Sequence, residues 1–249
     1  MTAPCDWATF DPDAYRADHY ATLRADDAQI LGLVARHFAA AGLPPGRDGL
    51  DVGTGSNLAP TLALLPFCRR VTQWEYGEQN LAWLRRVQRD GLDFAPWRPF
   101  WDCLTSAAPE PYKAINDPAW AVRSTATARH GSVHELPPQR WEAGTMFFVA
   151  ESHSTRLADF AAAVRRFVAA LTPGSPFALA CMTGSTGYQV GDERFPAVPV
   201  GQAEAWSALR PVARDVVMHR IDSNPPVRPG VGMLLAVGRA GWVTGRRAR

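Results

Sequence analysis

With 249 residues, 47% of them hydrophobic, the chain is long enough to bury a two-sided core as one α/β domain, and no linker-like run divides it. Its 26 basic and 24 acidic residues leave a formal net charge of +2 with the arginines scattered, which excludes the basic stripe of a nucleic-acid binder. No apolar run approaches the roughly 20 residues of a membrane span, no export pattern opens the chain, and Cys5, Cys68, Cys103 and Cys181 lack CxxC spacing, so the expectation is a cytoplasmic monomer or weak dimer with free thiols.

From the start, Asp11-Pro12 is a helix-start signal, and Tyr15, His19 and Tyr20 follow at helical spacing. Aromatics ahead of the first core helix either pack on a sheet edge or form a lid, residues 1–24, over a ligand. Residues 25–41 place Ile30, Leu33, Val34, His37 and Phe38 on one face and stop at Gly42 and Pro44-Pro45, an amphipathic helix. It leads into Gly49-Leu50-Asp51-Val52-Gly53-Thr54-Gly55-Ser56-Asn57, which reads as a buried strand, a glycine turn and a helix start over residues 58–65. Gly53 and Gly55 let backbone N–H groups approach a ligand, and Asp51 at the strand's carboxyl end can hold those N–H groups or a ligand's ammonium. At the next strand's carboxyl end, Glu75 is placed to accept both hydroxyls of a ribose. Asn80, one turn into the helix that follows, can reach the ribose or an adenine.

The same loop excludes two ligands. A dinucleotide fingerprint needs a third glycine beside the pyrophosphate, and a P-loop needs Gly-Lys-Ser/Thr; neither is present.

Residues 93–117 carry Trp97, Phe100 and Trp101 among prolines and read as an insertion near the substrate cleft, with a short helix over 119–128. His130-Gly131-Ser132-Val133-His134 then ends a strand, with Ser132 and Val133 near the adenine. His130, His134 and the later His153 could serve a metal only on a helix, and the glycine and valine between them argue for strand or turn, so no metal is expected. Residues 145–151, nearly all apolar as a sheet covered on both faces requires, deliver Glu151, Ser152 and His153 to the cleft. A helix over 158–171, a strand over 177–182, a second insertion over 183–201, a helix over 202–209 and closing strands at 215–221 and 231–237 complete the pattern. The fold class is α/β: a doubly wound, mostly parallel, seven-stranded Rossmann-like sheet. Arg246-Arg247-Ala248-Arg249 reads as a solvated end.

Asp51-x-Gly53-x-Gly55 followed by Glu75 is similar to the pattern of class I S-adenosylmethionine-dependent methyltransferases. Several stretches in order sharpen the likeness: Phe10-x-Pro12-x-x-Tyr15-x-x-x-x-Tyr20, Glu75-Tyr76-Gly77-Glu78-Gln79-Asn80-Leu81, Leu171-Thr172-Pro173-Gly174, and Tyr188-x-x-Gly191-x-x-x-Phe195-x-x-x-Pro199-x-Gly201. Together they resemble the nicotinamide, phenylethanolamine and indolethylamine (thioether) N-methyltransferases. The resemblance implies S-adenosyl-L-methionine as cofactor and a small aromatic molecule as partner. It also implies Tyr15, Tyr20, Gly53, Thr54, Glu75, Tyr76 and Asn80 as cofactor contacts, with Ser132 and Val133 beside the adenine.

The chain departs from that family where Cys181-Met182-Thr183 stands at the fifth strand's end, a place where its members carry a substrate-binding acid. The expectation is therefore a less polar acceptor, aromatic or indole-containing, methylated on nitrogen or an electron-rich ring carbon, in specialised metabolism. Glu151 with His153 is the candidate base and Tyr20 closes the site; alternatively Glu151 simply pairs with Arg156. A non-catalytic adenosylmethionine-binding module and a nicotinamide-dinucleotide oxidoreductase are the rival functions.

Overall fold

The structure, a computed structural model, describes residues 7–44 and 46–242; Cys5 and the C-terminal basic run lie outside them. The Asp11 carboxylate accepts the Asp13 and Ala14 N–H groups and caps α1 (Pro12–Tyr20), whose first proline is free to sit where no amide partner is needed. Helix α2 (Ala25–Ala40) buries Ile30, Leu31, Val34, Ala35 and Phe38. Strands β1 (Arg47–Val52) and β2 (Cys68–Glu75) flank α3 (Ala59–Leu64), and α4 (Glu78–Asp90) follows.

Residues 93–117 form α5 (Arg98–Ala107) and α6 (Pro109–Lys113). Their Trp97, Phe100, Trp101 and Tyr112 are buried in the main core, packed with α2, and the Tyr112 hydroxyl donates to the Ala63 carbonyl at 2.9 Å. These aromatics belong to the core and do not line the cleft themselves; Phe100 meets the cleft-lining Tyr20, ring centroids 6.4 Å apart. The helix expected over 119–128 stops as α7 (Pro118–Thr125), because Ala126 and Ala128 alternate inward against β2 while Thr127 and Arg129 face out, forming β3 (Ala126–His130).

Strand β4 (Ala143–Phe147) is shorter than the expected 145–151. Phe148 adopts φ 60°, and its N–H reaches the Ala180 carbonyl, so the chain leaves the ladder there and Glu151 falls in a turn. After α8 (Leu157–Ala170) and β5 (Pro176–Thr183), the insertion at 183–201 contains a hairpin of β6 (Gly187–Val190) and β7 (Glu193–Pro196). Then come α9 (Gln202–Leu209), β8 (Ala213–Ile221) and β9 (Gly232–Ala240). The sheet order is β3-β2-β1-β4-β5-β9-β8, with β9 antiparallel to both neighbours and the rest parallel. The order reverses between β1 and β4, the place where such a sheet opens a crevice at the carboxyl ends of its strands.

Candidate active site

At that crevice lies a cleft of about 950 Å³. Tyr15, Tyr20, Asp51, Gly53, Thr54, Gly55, Glu75, Tyr76, Asn80, Ser132 and Val133, residues from four segments of the chain, all line it. Gly53 has φ 63°, and a Cβ there would collide with the Val149 side chain, so only glycine fits this turn.

The two acids divide the work differently from the sequence expectation. Asp51 holds no loop amide: it accepts the Thr61 hydroxyl at 2.7 Å and the Thr145 hydroxyl at 3.0 Å, a tie between α3 and β4. Burial pushes its carboxyl up to about 7, against the pull of those hydroxyls. Glu75 takes the loop instead, accepting the Gly55 N–H at 2.8 Å and the Gly77 N–H at 2.7 Å. Its burial raises the carboxyl and these N–H groups hold it down. Two bonds leave a carboxylate with lone pairs to spare, so Glu75 could still accept a ribose. Beside it the Asn80 Oδ1 is buried without a partner, a group that a hydroxyl or an amino donor would satisfy.

The end of the cleft around Ser132 and Val133, where the sequence expects an adenine, is shaped largely by backbone contacts. The Ser132 hydroxyl accepts the His134 N–H and Glu135 accepts the Ser132 N–H, a capping box, while the Trp74 indole donates to the Ser132 carbonyl at 3.0 Å. Tyr76 is half exposed and stacks on His130 at the rim, ring centroids 5.9 Å apart.

A smaller chamber of about 60 Å³ shares Tyr15, Tyr20, Phe148, Ser152 and Tyr188 with the cleft. At the roughly 10–15 Å³ that one water requires, it has room for a handful of waters, about what one aromatic ring displaces. Glu151 faces this chamber, fully buried. Its Oε1 accepts the Met182 N–H at 2.7 Å, and its Oε2 has no hydrogen-bond partner. Burial pushes the carboxyl up to about 7. Arg156 is not its partner: that side chain is exposed and lies 3.9 Å from Asp159.

His153 is not beside Glu151. It belongs to the cleft, with Nε2 3.2 Å from His134 Nε2 and Nδ1 3.2 Å from the Val149 carbonyl, which corrects the expectation of a Glu151–His153 pair. The two side chains, two residues apart in the turn beyond β4, line different cavities.

Tyr15 and Tyr20 pack on each other, centroids 5.8 Å apart, and share a hydrogen bond; Asn57 bonds Tyr20 as well. Burial pushes Tyr15 up to about 12 and Tyr20 up too, so both stay neutral phenols that can donate but cannot serve as bases near neutrality. Their helix is fastened to the glycine loop by the Ser56 hydroxyl, which donates to the Pro12 carbonyl at 2.7 Å.

Two chamber residues are absent from the sequence reading. Asp27, nine-tenths buried, is pushed up to about 7 by burial and by neighbouring Asp26. In sequence it is the second acid of a helix's first turn, which ordinarily signals favourable dipole chemistry at an exposed end. Arg228 comes from the β8–β9 connection, one arginine among many.

A model of the NNMT/PNMT/TEMT family matches residues 5–239 of the chain. No curated protein sequence matches it. Among solved structures, it is similar to the magnesium protoporphyrin IX methyltransferase of Synechocystis PCC 6803 with bound SAM, at TM-score 0.57 and 12% identity over 96% of this chain and 100% of that one. The DhpI-SAM-HEP complex matches at 0.53 and 16%, covering 91% and 93%. The 1,6-didemethyltoxoflavin-N1-methyltransferase of Burkholderia thailandensis, with 1,6-didemethyltoxoflavin and S-adenosylhomocysteine, matches at 0.51 and 17%, covering 96% and 95%. At these identities the likenesses show a shared fold.

Proposed function

The chain belongs to the NNMT/PNMT/TEMT family of class I S-adenosylmethionine-dependent methyltransferases, and on that premise we propose that it methylates a small aromatic or indole-containing molecule with Glu151 as the base. The observation that carries this is the chamber: a ring-sized space with an unpartnered buried carboxylate oxygen, walled by side chains that also line the cofactor cleft. When bound, S-adenosylmethionine supplies a methyl group already activated by its sulfonium, so this chain's residues need only align the acceptor and exclude water.

Glu75, with Asn80 and the Gly53–Gly55 turn, would hold the ribosyl part. Thr54, packed with its hydroxyl 3.2 Å from the Asp51 carbonyl, keeps the turn in place, and the Ser132–Val133 backbone with Tyr76 would flank the adenine. Tyr15 and Tyr20 close α1 over the junction of cleft and chamber. The acceptor's nitrogen or ring carbon would take the methyl as its bond to the sulfonium breaks, leaving adenosylhomocysteine, and Glu151 Oε2 would take the proton that the acceptor loses. Its carboxyl at about 7 is matched to that task at neutral pH.

The wider setting is read from sequence: a cytoplasmic enzyme of specialised metabolism, monomeric or weakly dimeric, which sedimentation and cell fractionation would check. The function itself is tested by following adenosylhomocysteine release with a panel of aromatic amines, pyridines and indoles. Turnover of at least one ring supports it; release only with aliphatic acceptors contradicts it.

A further inference from the structure

Arg228 has no task in the mechanism above, yet it is placed with care. Its Nη1 donates to the Gly187 carbonyl at 2.6 Å and its Nη2 reaches the Ser185 hydroxyl at 3.4 Å, so the loop before the hairpin aims the guanidinium. Its Nε is buried without a partner, and among the described residues no carboxylate lies within ion-pair distance of it. The chamber's other cation contrasts with it. Arg24 grips Asp26 through two bonds of 3.0 Å and gives a third to the Pro225 carbonyl. One guanidinium is neutralised and the other is not.

A guanidinium keeps its charge at any ordinary pH, so in this half-buried one the Nε–H, buried without an acceptor, is costly until an oxyanion arrives. Two of its five N–H groups are engaged, and the free Nε–H lies on the same edge of the fork as a remaining Nη2–H. That edge is the geometry that grips a carboxylate with two parallel bonds. The acids in the same chamber, Asp27 and Glu151, make no ion pair with Arg228 among the described residues, although its charge acts on Glu151, so neither takes up its open donors. The same chamber is lined by Tyr15, Tyr20, Phe148 and Met233, surfaces for the faces of a ring.

Building on the aromatic acceptor of the preceding section, we propose that this acceptor's ring bears a carboxylate, held by Arg228, so that its reacting nitrogen or carbon is turned toward Glu151. Arg228 is then a specificity residue and takes no part in the proton transfer.

The test compares matched acceptors: aniline, 2-aminobenzamide and 2-aminobenzoate, with indole and indole-3-carboxylate as a second series. Binding is measured by calorimetry in the presence of adenosylhomocysteine, and turnover by adenosylhomocysteine release. The carboxylates should bind at least about tenfold tighter than the unsubstituted rings. Arg228→Met should erase that preference by roughly 10- to 100-fold, mainly through KM, and Arg228→Lys should restore it only in part. A thermal melt and adenosylhomocysteine affinity like the parent's establish that each variant is folded. Equal binding of charged and uncharged rings, a preference for the carboxamide, or an unchanged preference in a folded Arg228→Met overturns the inference, while turnover of the neutral rings leaves the aromatic-acceptor reading standing. If no ring of either series binds or turns over, that reading fails and the carboxylate falls with it.

Discussion

The cofactor cleft and the acceptor chamber share five side chains but treat buried charge in opposite ways. In the cleft, Asp51 is satisfied by two threonine hydroxyls and Glu75 by two backbone amides. In the chamber, Glu151 keeps one oxygen unpartnered and Arg228 its Nε, with Asp27 alongside holding no ion pair among the described residues. The first arrangement uses carboxylates as struts that shape a turn for a ligand of fixed form. The second leaves atoms of charged groups open, where the cleft leaves only the neutral Asn80 Oδ1 without a partner, and a fold bears that cost where a ligand or a proton is to be received.

The largest expected effect separates these roles. Glu151→Gln keeps the shape but removes the proton acceptor, and turnover should fall by roughly 10²- to 10⁴-fold with adenosylhomocysteine affinity unchanged by calorimetry. Full turnover in this variant would make Glu151 another strut. Next in size, Glu75→Ala should weaken adenosylhomocysteine by about 1–3 kcal/mol, since the ribose hydroxyls and the Gly55 and Gly77 amides all lose their acceptor. Unchanged affinity would show that the turn stands without it.

The pH dependence is smaller and carries a definite sign. With its carboxyl at about 7, Glu151 is protonated below that pH and cannot accept a proton, so turnover should decline as pH falls through about 7. Because the folded state holds this proton more tightly than the unfolded chain, whose ordinary value is 4.5, the contribution to stability is full below 4.5 and is lost as pH rises to about 7. The melting temperature of the parent, relative to Glu151→Gln, should therefore drop across that window and level off above it; a flat difference would contradict the buried, raised carboxyl. A more modest change is expected in α1, whose amides should exchange more slowly once adenosylhomocysteine is bound if the segment is a lid. Equal exchange would make it a packing element. Smallest of all, His153→Ala should change turnover by less than about twofold, since its ring faces His134 across the cleft; a loss as large as that of Glu151→Gln would return it to the chemistry.

The contrast also marks what could be read from the residues alone. Asp51, Gly53, Gly55 and Glu75 lie within one βαβ unit, where spacing dictates position, and all of them line one cleft. The alternation of strands and helices and the antiparallel close were legible for the same local reason. Asp27 and Arg228 join Glu151 in one chamber only after α2, the turn beyond β4 and the β8–β9 connection have packed, so although Glu151 is expected at its strand's end, no periodicity announces the other two. Phe148's positive φ, beyond the end of β4 and ahead of Glu151, is a tertiary effect at a residue that sequence places inside a strand. Likewise the aromatic insertion looked like a pocket wall because its composition suits one, whereas packing against α2 makes it core.

The separation of holding from chemistry is tested most directly by a double-mutant cycle on Glu75→Ala and Glu151→Gln, reading kcat/KM for a turned-over aromatic acceptor at fixed subsaturating cofactor. If the two carboxylates serve separate cavities, their free-energy costs add in the double variant to within about 0.5 kcal/mol. A coupling well above about 1 kcal/mol would mean that the two acids act as one unit and would contradict the division of labour drawn here.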